Sequence, residues 1–352
     1  MKTQLETIFS QFEHNTSFVS YKELASGHIN DTYLIETSEK PYFVLQRINH
    51  GVFKDVPGLI SNKVQVSDYM LEKKKDQPNV DRTVLRFAKT KTGASYYKGP
   101  QENFWNMMYF IEDSVTHETV TDAEIAYEGG KLFGEFLTLT SDFDASTLCE
   151  VIPKFHDMSF RFSQFEDALK VASQERLTQA ADLLEKVAEL KEEMHILQRL
   201  KENGQIPLRV THNDTKISNA LFDTNNKGLC VIDTDTVMPG IVHYDFGDAI
   251  RTICNTAAED EQDLNKVSFN TDYYKAYAKG FLEKLGGTLT PLEIENLPLA
   301  AKTMIFIMAL RFLTDFLNGD IYYKTNYANH NIDRSRNQFK LLASLIAQET
   351  EL

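Results

Sequence analysis

The order of hydrophobic and polar residues divides the chain into a strand-rich first third and a mainly helical remainder. Several short segments of the first third are rich in aromatic and β-branched residues and are separated by polar turns, which predicts β-strands. These segments cover residues 18–24, 31–36, 42–48, 82–88 and 103–111. The first three predict an antiparallel meander, and residues 58–75 predict a helix between the strands.

Beyond about residue 113 the apolar residues recur at helical spacing. The predicted helices cover residues 123–139, 174–201, 246–257, 272–285, 291–317 and 333–348. Thr290 is predicted to cap one of them, because Pro291 and an acidic first turn follow it. The pattern predicts an α+β chain with a small antiparallel-sheet lobe at residues 1–112 and a larger, mainly helical lobe at residues 113–352.

Composition narrows the classes of function. Of the 352 residues, 42% are hydrophobic, which is enough for a buried core and excludes wholesale disorder. The formal net charge of −14 disfavours nonspecific nucleic-acid binding, which requires Lys and Arg to neutralise phosphates. The longest apolar run, residues 304–310, has seven residues, whereas a membrane span needs about 20. We therefore expect no nucleic-acid and no membrane partner.

The cysteines and the N-terminal residues indicate a compartment. Cys149, Cys230 and Cys254 are far apart and odd in number, so we expect reduced thiols rather than a disulfide framework or a zinc site. The first residues contain no apolar run that ends in small residues, so no secretory signal is visible. We expect a cytoplasmic protein that acts on small molecules as a monomer.

One stretch carries a pattern of polar residues that suits phosphoryl transfer. Asp214 follows a predicted strand, Asn219 comes five residues later, and a predicted hairpin over residues 220–232 returns the chain to Asp233. This is the spacing of a protein-kinase catalytic loop and its metal aspartate. One carboxylate accepts the proton of the attacking hydroxyl, while an amide oxygen and a second carboxylate hold Mg²⁺ on the nucleotide phosphates.

The spacing therefore predicts Asp214 as the catalytic base and Asn219 and Asp233 as the metal ligands. The alternative interpretation is an acidic turn with a satisfied Asx cap. Asp245-Phe246-Gly247 has the letters of the kinase metal motif but lies thirty-one residues after Asp214 instead of about twenty. We predict that Asp245 is a helix N-cap that braces the catalytic loop, and that Asp235 is a weaker candidate for the metal.

The nucleotide-binding residues are predicted from their positions. No Walker A and no Gly-x-Gly-x-x-Gly sequence occurs, so P-loop and Rossmann sites lack support. Either Gln46 or Arg47 stands where kinases carry a strand lysine, and alternation along the strand lets only one of them face the nucleotide. Phe110, Ile111 and Glu112 would form an inter-lobe hinge whose backbone pairs with adenine, unless they simply end a buried strand.

The His-Asn-Asp…Asn…Ile-Asp pattern resembles the aminoglycoside phosphotransferase and choline kinase superfamily, whose members share a bilobal protein-kinase-like fold. Longer segments resemble the N-acetylhexosamine 1-kinases within that superfamily, and the likeness extends from about residue 20 to residue 341. These segments are residues 27–30, 207–216, 233–240, 245–248 and 319–322. The resemblance implies Mg²⁺-dependent transfer of the ATP γ-phosphate to the anomeric 1-hydroxyl of N-acetylglucosamine or N-acetylgalactosamine, giving the α-1-phosphate.

The resemblance also implies a set of acceptor-binding positions. His28, Arg311 and Tyr322 match residues that contact the sugar in that family, and Tyr21 and Thr252 fall where the family has pocket residues of a different type. From the residues alone, Arg311 interrupts an apolar helix and needs either an acceptor or an ion pair with Asp315. Tyr322 could stack on a sugar or cover the core, and a turn histidine is often solvated.

Two other functions remain open at this point. A kinase of the same fold could act on choline, homoserine, methylthioribose or an aminoglycoside, but a cationic acceptor would need carboxylates or an aromatic cage. Arg311 and His28 favour a neutral polyol instead. The second is an inactive pseudokinase that serves as a binding module, which the presence of Asp214, Asn219 and Asp233 disfavours.

Overall fold

A computed structural model describes residues 1–24, 29–100 and 102–352. The first third of the chain forms an antiparallel sheet in the order β1-β2-β3-β6-β4, with β5 also paired to β6. Its strands are β1 (Phe18–Glu23), β2 (Asp31–Thr37), β3 (Phe43–Ile48), β4 (Phe87–Ala88), β5 (Tyr97–Lys98) and β6 (Phe104–Tyr109). The predicted meander and the strand at residues 103–111 are confirmed.

Three helices accompany this sheet, and one of them corrects a prediction. They are α1 (Lys2–Phe9), which the sequence pattern did not predict, α2 (Val56–Lys74) and α3 (Val80–Thr83). The strand predicted over residues 82–88 is wrong in its first half, because this segment starts with α3 and only β4 at its end pairs with β6. Arg82 turns away from the sheet and donates to the carbonyl of Glu112 at 2.9 Å.

The remainder of the chain is mainly helical. Its helices are α4 (Ala123–Leu139), α5 (Met158–Val171), α6 (Gln174–Gln179), α7 (Ala181–Met194), α8 (Ile196–Glu202), α9 (Val242–Ile253), α10 (Thr271–Leu285), α11 (Pro291–Glu295), α12 (Leu297–Leu317) and α13 (His330–Ala347). Together with the sheet they form the bilobal protein-kinase-like fold that the sequence predicts.

Two long predicted helices are interrupted. The helix predicted over residues 174–201 is three helices, which break at the fully buried Ala180 and at His195. The helix predicted over residues 291–317 breaks at Asn296, two residues before a proline that cannot donate a backbone hydrogen bond. The predicted cap is confirmed, since Thr290 and Glu293 form a reciprocal capping box. Helix α5 was not predicted.

Two small sheets position the catalytic loop. The first contains β7 (Ser114–Val115), β9 (Ala220–Asp223) and β10 (Gly228–Val231), and the second pairs β8 (Arg209–Thr211) with β11 (Met238–Gly240). The hairpin predicted over residues 220–232 is therefore confirmed. The chain leaves the large sheet after Tyr109 and joins the first small sheet at Ser114, while the domain boundary at residue 112 stays a prediction.

The two faces of the large sheet meet different neighbours. Phe43 and Leu45 of β3 pack toward α1, whereas Val44 and Ile48 face the opposite way and contact α2 or the β9–β10 hairpin. Gln46 shares the face of Val44 because side chains alternate along a strand. The face that carries Gln46 therefore looks toward the helical part of the molecule.

Helix α12 lies at the centre of the helical part. Among the described residues, it is the one helix long and apolar enough to cross a membrane, with a mean hydropathy of 1.5. However, 78% of its most apolar window is buried inside the fold, between α5, α9 and α13. This burial is what a core helix requires.

Candidate active site

His212 starts the catalytic loop directly after β8 and is fully buried. Its ring lies edge-on to Phe133 and Phe136 of α4, with centroids 5.8 and 5.9 Å away. Nε2 lies 2.9 Å from the carbonyl oxygen of Ile232, and Nδ1 accepts the backbone N–H of Asp214 at 3.3 Å. These two contacts fit a neutral ring protonated on Nε2, which ties the loop to the end of β10.

Asp245 of helix α9 binds the backbone at the start of the catalytic loop. Its carboxylate accepts the backbone N–H of His212 at 2.8 Å and that of Asn213 at 2.7 Å. Asn213 has a left-handed backbone with φ of 64°, which these bonds stabilise. The predicted brace is confirmed, but the N-cap assignment is wrong, because α9 begins at Val242 and Asp245 lies inside its first turn. Burial raises the pKa of Asp245 to about 6.

A second carboxylate of α9 holds the middle of the loop. Asp248 accepts the backbone N–H of Thr215 at 3.0 Å and two N–H groups of Arg251 at 3.0 and 3.1 Å. Arg251 in turn donates to Glu259 at 2.7 Å. Although burial opposes its charge, these two acids raise the pKa of Arg251. The loop is thus fixed to a rigid helix at two successive points.

Asn219 links the two predicted chemical roles. Its amide nitrogen donates to the backbone carbonyl of Asp214 at 2.8 Å and to Oδ2 of Asp214 at 2.9 Å. Both amide hydrogens are therefore used, and no described residue donates to the amide oxygen. Lys216 Nζ lies 3.1 Å from the same Oδ2 of Asp214. Although burial opposes its charge, Asp214, Asp248 and Asp233 raise the pKa of Lys216.

Asp233 is the second residue after β10 and lies close to Asn219, because the N–H of the intervening Ile232 donates to the Asn219 carbonyl at 2.9 Å. Its backbone is left-handed, with φ of 56° and ψ of 54°, which is rare for a residue with a side chain. The Asp233 side chain is exposed to solvent and lies near enough to Asp214 and Lys216 for their charges to act on it, so Asp214, Asn219 and Asp233 border one solvent-open recess. Desolvation and the charges of Asp235 and Asp214 raise the pKa of Asp233 to about 7.

The oxygen atoms of this recess fit Mg²⁺ shared with a nucleotide. No three His, Cys, Asp or Glu residues in the described part of the chain form a metal-binding group on their own. Mg²⁺ in nucleotide sites uses one or two protein carboxylates and completes its shell with phosphate and water oxygens. The Asp233 carboxylate and the free amide oxygen of Asn219 provide that kind of partial donor set.

The structure separates the two candidates on β3. Arg47 points toward the α1 side of the sheet and is ion-paired with Asp31 of β2. Gln46 is buried on the opposite face, where its Oε1 accepts a hydrogen bond from Lys63 of α2 at 3.1 Å. Lys63 is also ion-paired with Asp235. Sequence reasoning missed Lys63, since a lysine within a helix gives no local signal of burial.

An apolar cluster lines the boundary between the two lobes. Its buried members include Met108 and Ile111, at and after the end of β6. Three partly exposed residues pack against them, Val44 from the sheet and Leu221 and Ile232 from the β9–β10 hairpin. This cluster lies next to the hinge residues predicted at positions 110–112. Partly exposed apolar surface of this kind suits a nucleobase.

The predicted hinge has free backbone groups. The N–H of Phe110 donates to the carbonyl of Tyr42 at 2.9 Å, and Arg82 occupies the carbonyl of Glu112. The N–H groups of Ile111 and Glu112 make no hydrogen bond within the described residues. They remain available to pair with a ligand beside the apolar cluster.

A groove of about 430 Å³ between α5, α12 and the loop after α12 brings together Arg311 and Tyr322. Arg311 stacks on Phe155 and Tyr323, with 5.4 and 5.7 Å to the ring centroids, and has no carboxylate partner in the described part of the chain. The ion pair with Asp315 does not form.

Asp315 instead caps the loop that follows α12. It accepts the backbone N–H groups of Ile321, Tyr322 and Tyr323 at 2.8 to 3.0 Å. Arg161, also in the groove, donates to the carbonyl of Phe155. Burial and the charge of Arg311 lower the pKa of Arg161 to about 10.

His156 connects the groove to the catalytic loop. Its Nε2 lies 3.4 Å from the carbonyl oxygen of Asn213, and the charges of Asp248 and Arg311 both act on it. Burial lowers the pKa of His156 to about 3. The sequence contains this histidine far from the motif, at residue 156, so spacing alone gave no reason to include it.

Two further residues predicted to bind the acceptor, Thr252 and Tyr21, do not line the groove. Thr252 lies on α9 beside Arg251 and bonds to its own helix at 3.1 to 3.2 Å. Tyr21 packs on Tyr33 with ring centroids 6.0 Å apart, on the α1 side of the sheet. Strand alternation thus turns Tyr21 away from Gln46 and the recess. His28 lies outside the described residues.

Comparison with known proteins identifies related sequences and folds. The profile of a family described as APH, phosphotransferase enzyme family, matches residues 20–279. A microcompartment-associated aminopropanol kinase has a similar structure, with a TM-score of 0.62, 17% identity and coverage of 99% of this chain and 98% of that chain. Choline kinase from Cryptosporidium parvum gives a TM-score of 0.62 at 14% identity, with 99% and 97% coverage.

A third similar structure contains bound ADP. Spectinomycin phosphotransferase, in complex with ADP and spectinomycin, gives a TM-score of 0.60 at 10% identity and covers 100% of this chain and 99% of that chain. At these identities the structural matches show a shared fold over the whole chain length.

Proposed function

The chain belongs to the APH phosphotransferase enzyme family, and from this premise we propose that it is a small-molecule kinase that uses ATP to phosphorylate the anomeric 1-hydroxyl of an N-acetylhexosamine. The product would be the α-1-phosphate. We also propose that the protein is cytoplasmic and monomeric, as the sequence leads us to expect.

One observation carries the kinase assignment: Asp214, Asn219 and Asp233 converge at one recess, although up to nineteen residues separate them in the sequence. Asp214 would accept the proton of the acceptor hydroxyl while the oxygen of that hydroxyl bonds to the γ-phosphorus. The bond between the γ-phosphorus and the bridging oxygen then breaks, and ADP leaves. Asn219 and Asp233 would hold Mg²⁺, which neutralises phosphate charge.

The chain's own residues account for positioning in this scheme. Asn219 fixes the orientation of the Asp214 carboxylate through Oδ2. Lys216 lies 3.1 Å from that oxygen and offers a positive charge near the transferred phosphoryl group. Positioning and electrostatics supply most of the catalysis in phosphoryl transfer, so little covalent chemistry is asked of the protein.

The apolar cluster and the hinge support the nucleotide assignment. Val44, Leu221 and Ile232 offer apolar contact for adenine, and the free N–H groups of Ile111 and Glu112 offer donors at its edge. The complex of spectinomycin phosphotransferase with ADP supports a nucleotide site in this fold.

The groove supports a neutral acceptor. Arg311 and Arg161 present two positive charges, Asp315 is occupied by the backbone of its own loop, and Asp167 at the edge of the groove is paired with Lys170. Cationic acceptors would be repelled, since such ligands require carboxylates or aromatic cages. An acetamido carbonyl or a ring hydroxyl, by contrast, can accept hydrogen bonds from a guanidinium. The identity of the acceptor therefore rests on Arg311 and Tyr322 together with the resemblance in sequence.

A panel of acceptors tests this proposal. Purified protein with Mg²⁺ and ATP is supplied in turn with N-acetylglucosamine, N-acetylgalactosamine, glucose, choline, homoserine, methylthioribose and an aminoglycoside, and ADP release is followed with coupling enzymes. We expect the two N-acetylhexosamines to be the best acceptors. Faster turnover of choline would overturn the acceptor assignment, and absence of transfer to every acceptor would favour a pseudokinase.

A further inference from the structure

Four separate segments meet in a buried polar cluster beside Asp233. Lys63 of α2 is ion-paired with Oδ1 of Asp235, and it donates to Oε1 of Gln46 on β3 at 3.1 Å. Asn30, just before β2, donates to Oδ2 of Asp235. The Lys63 and Asp235 side chains are only 2% and 5% exposed.

Lys63 has different partners from the other buried lysine of its helix. Another lysine of the same helix, Lys74, lies eleven residues further on and is also buried. It pairs with Glu135 of α4 at 2.7 Å, and within the described residues no hydrogen bond or ion pair joins it to Asp233 or Asp235. Lys63, in contrast, is joined to the recess by geometry, because its ion-pair partner Asp235 lies two residues after Asp233.

The direction of β3 places the Lys63 ammonium where phosphates would lie. Val44 belongs to the apolar cluster at the hinge, and Gln46 is the next residue on the same face. A nucleotide whose base rests near Val44 would extend its phosphates past Gln46 toward Asp233. An ammonium group has three N–H donors, and Lys63 uses two of them among the described residues.

We propose that Lys63, supplied by helix α2, is the lysine that binds the nucleotide phosphates, and that Gln46 and Asp235 hold its ammonium group in place. In protein kinases a strand lysine does this while a helix glutamate pairs with it. Here the strand carries the uncharged partner and the helix carries the cation. This inference rests on the proposed function, since it requires a nucleotide in the recess.

The test measures nucleotide binding, so it needs no acceptor. Calorimetry with Mg²⁺ gives the affinities of the wild type, Lys63→Gln, Lys74→Gln and the transposed variant Gln46→Lys/Lys63→Gln for ATP, ADP and adenosine. Because charge-assisted hydrogen bonds to the phosphates are lost, we expect Lys63→Gln to weaken ATP and ADP binding by about 10- to 100-fold. The affinity for adenosine, which has no phosphates, should change by less than about twofold. The transposed variant should recover at least about tenfold, and Lys74→Gln should leave all three affinities unchanged.

Three results would overturn the inference. They are wild-type ATP affinity in Lys63→Gln, an equal loss of adenosine binding, and no recovery in the transposed variant. If Lys63→Gln fails to fold because Asp235 is left unpaired, Lys63→Gln/Asp235→Asn removes both charges and is judged by the same criteria.

The proposed function fails in a different way. A wild-type protein that binds no nucleotide would overturn both proposals. A wild-type protein that binds ATP but phosphorylates no hexosamine would overturn the acceptor assignment alone, and the Lys63 comparison would still stand.

Discussion

The side-chain amide of Asn219 donates both of its hydrogens to Asp214, one to the backbone carbonyl at 2.8 Å and one to Oδ2 at 2.9 Å. The bonds orient the carboxylate and at the same time leave the amide oxygen of Asn219 free. One residue therefore couples the proposed base to the proposed metal site, and displacement of either group would disturb both.

Replacing Asp214 with Asn should separate binding from chemistry. The variant keeps the shape and the hydrogen-bond acceptor, but it cannot take up the acceptor's proton. We expect turnover to fall about 10²- to 10⁴-fold while ATP binding stays largely intact. Steady-state kinetics and calorimetry measure the two effects. Asp142→Asn serves as the control, because Asp142 is exposed on the surface, where it is paired with Lys73. If the Asp214→Asn variant turned over as fast as the wild type, Asp214 would not be the catalytic base.

Replacing Asp233 with Asn should abolish the Mg²⁺-dependent part of ATP binding. Loss of a carboxylate ligand should reduce the affinity for ATP with Mg²⁺ by about tenfold or more, to the level seen with EDTA. Without ligands the variant should be more stable at pH 8, because desolvation and the charges of Asp235 and Asp214 disfavour the charge of Asp233. Thermal unfolding with and without Mg²⁺ and ATP tests both points, and unchanged stabilisation by Mg²⁺ in the variant would contradict the metal assignment.

Replacing Arg311 with Met should affect the acceptor and spare the nucleotide. Removal of the guanidinium that we propose bonds to the acceptor should raise the KM for N-acetylhexosamine about 10- to 100-fold, with the KM for ATP unchanged. Arg334→Met is the matched control, since Arg334 also stacks on a phenylalanine at 5.4 Å but from helix α13. Equal effects of the two substitutions would show that Arg311 acts through packing.

His156 should make stability depend on pH. Burial lowers the pKa of His156 to about 3 in the folded chain, whereas the unfolded chain binds a proton near 6.5. Below pH 6.5 the free energy of unfolding therefore falls by about 1.4 kcal/mol for each unit by which the pH is lowered. Urea unfolding of the wild type and His156→Gln should show that the wild-type advantage shrinks by about 2 kcal/mol between pH 7.5 and pH 5. Parallel curves would contradict a neutral buried His156.

The catalytic loop was predictable because its information is local. The interval between Asp214 and Asp233 is set by one loop and one hairpin, and both have strong turn and strand signals. The meander of the large sheet was predictable for the same reason. Helix breaks were less visible, since Ala180, where α6 ends, is an excellent helix former and gives no local stop signal.

The residues that were missed depend on tertiary contacts. Lys63 meets Asp235 across 172 positions of sequence, and a lysine in a helix is normally assigned to the solvent-facing side. His156 meets the loop across 57 positions. Tyr21 shows the opposite case, since its position in the chain suggested the pocket while the strand's alternation turned it toward α1.

The most direct test of the account is the identity of the reaction product. The protein is incubated with Mg²⁺, ATP and N-acetylglucosamine or N-acetylgalactosamine, and the mixture is followed by ³¹P NMR, with Asp214→Asn as the control. The account predicts ADP and a phosphate ester coupled to the anomeric proton in the α configuration, with neither formed by the variant at a comparable rate. A phosphate on another hydroxyl, or only inorganic phosphate, would contradict it.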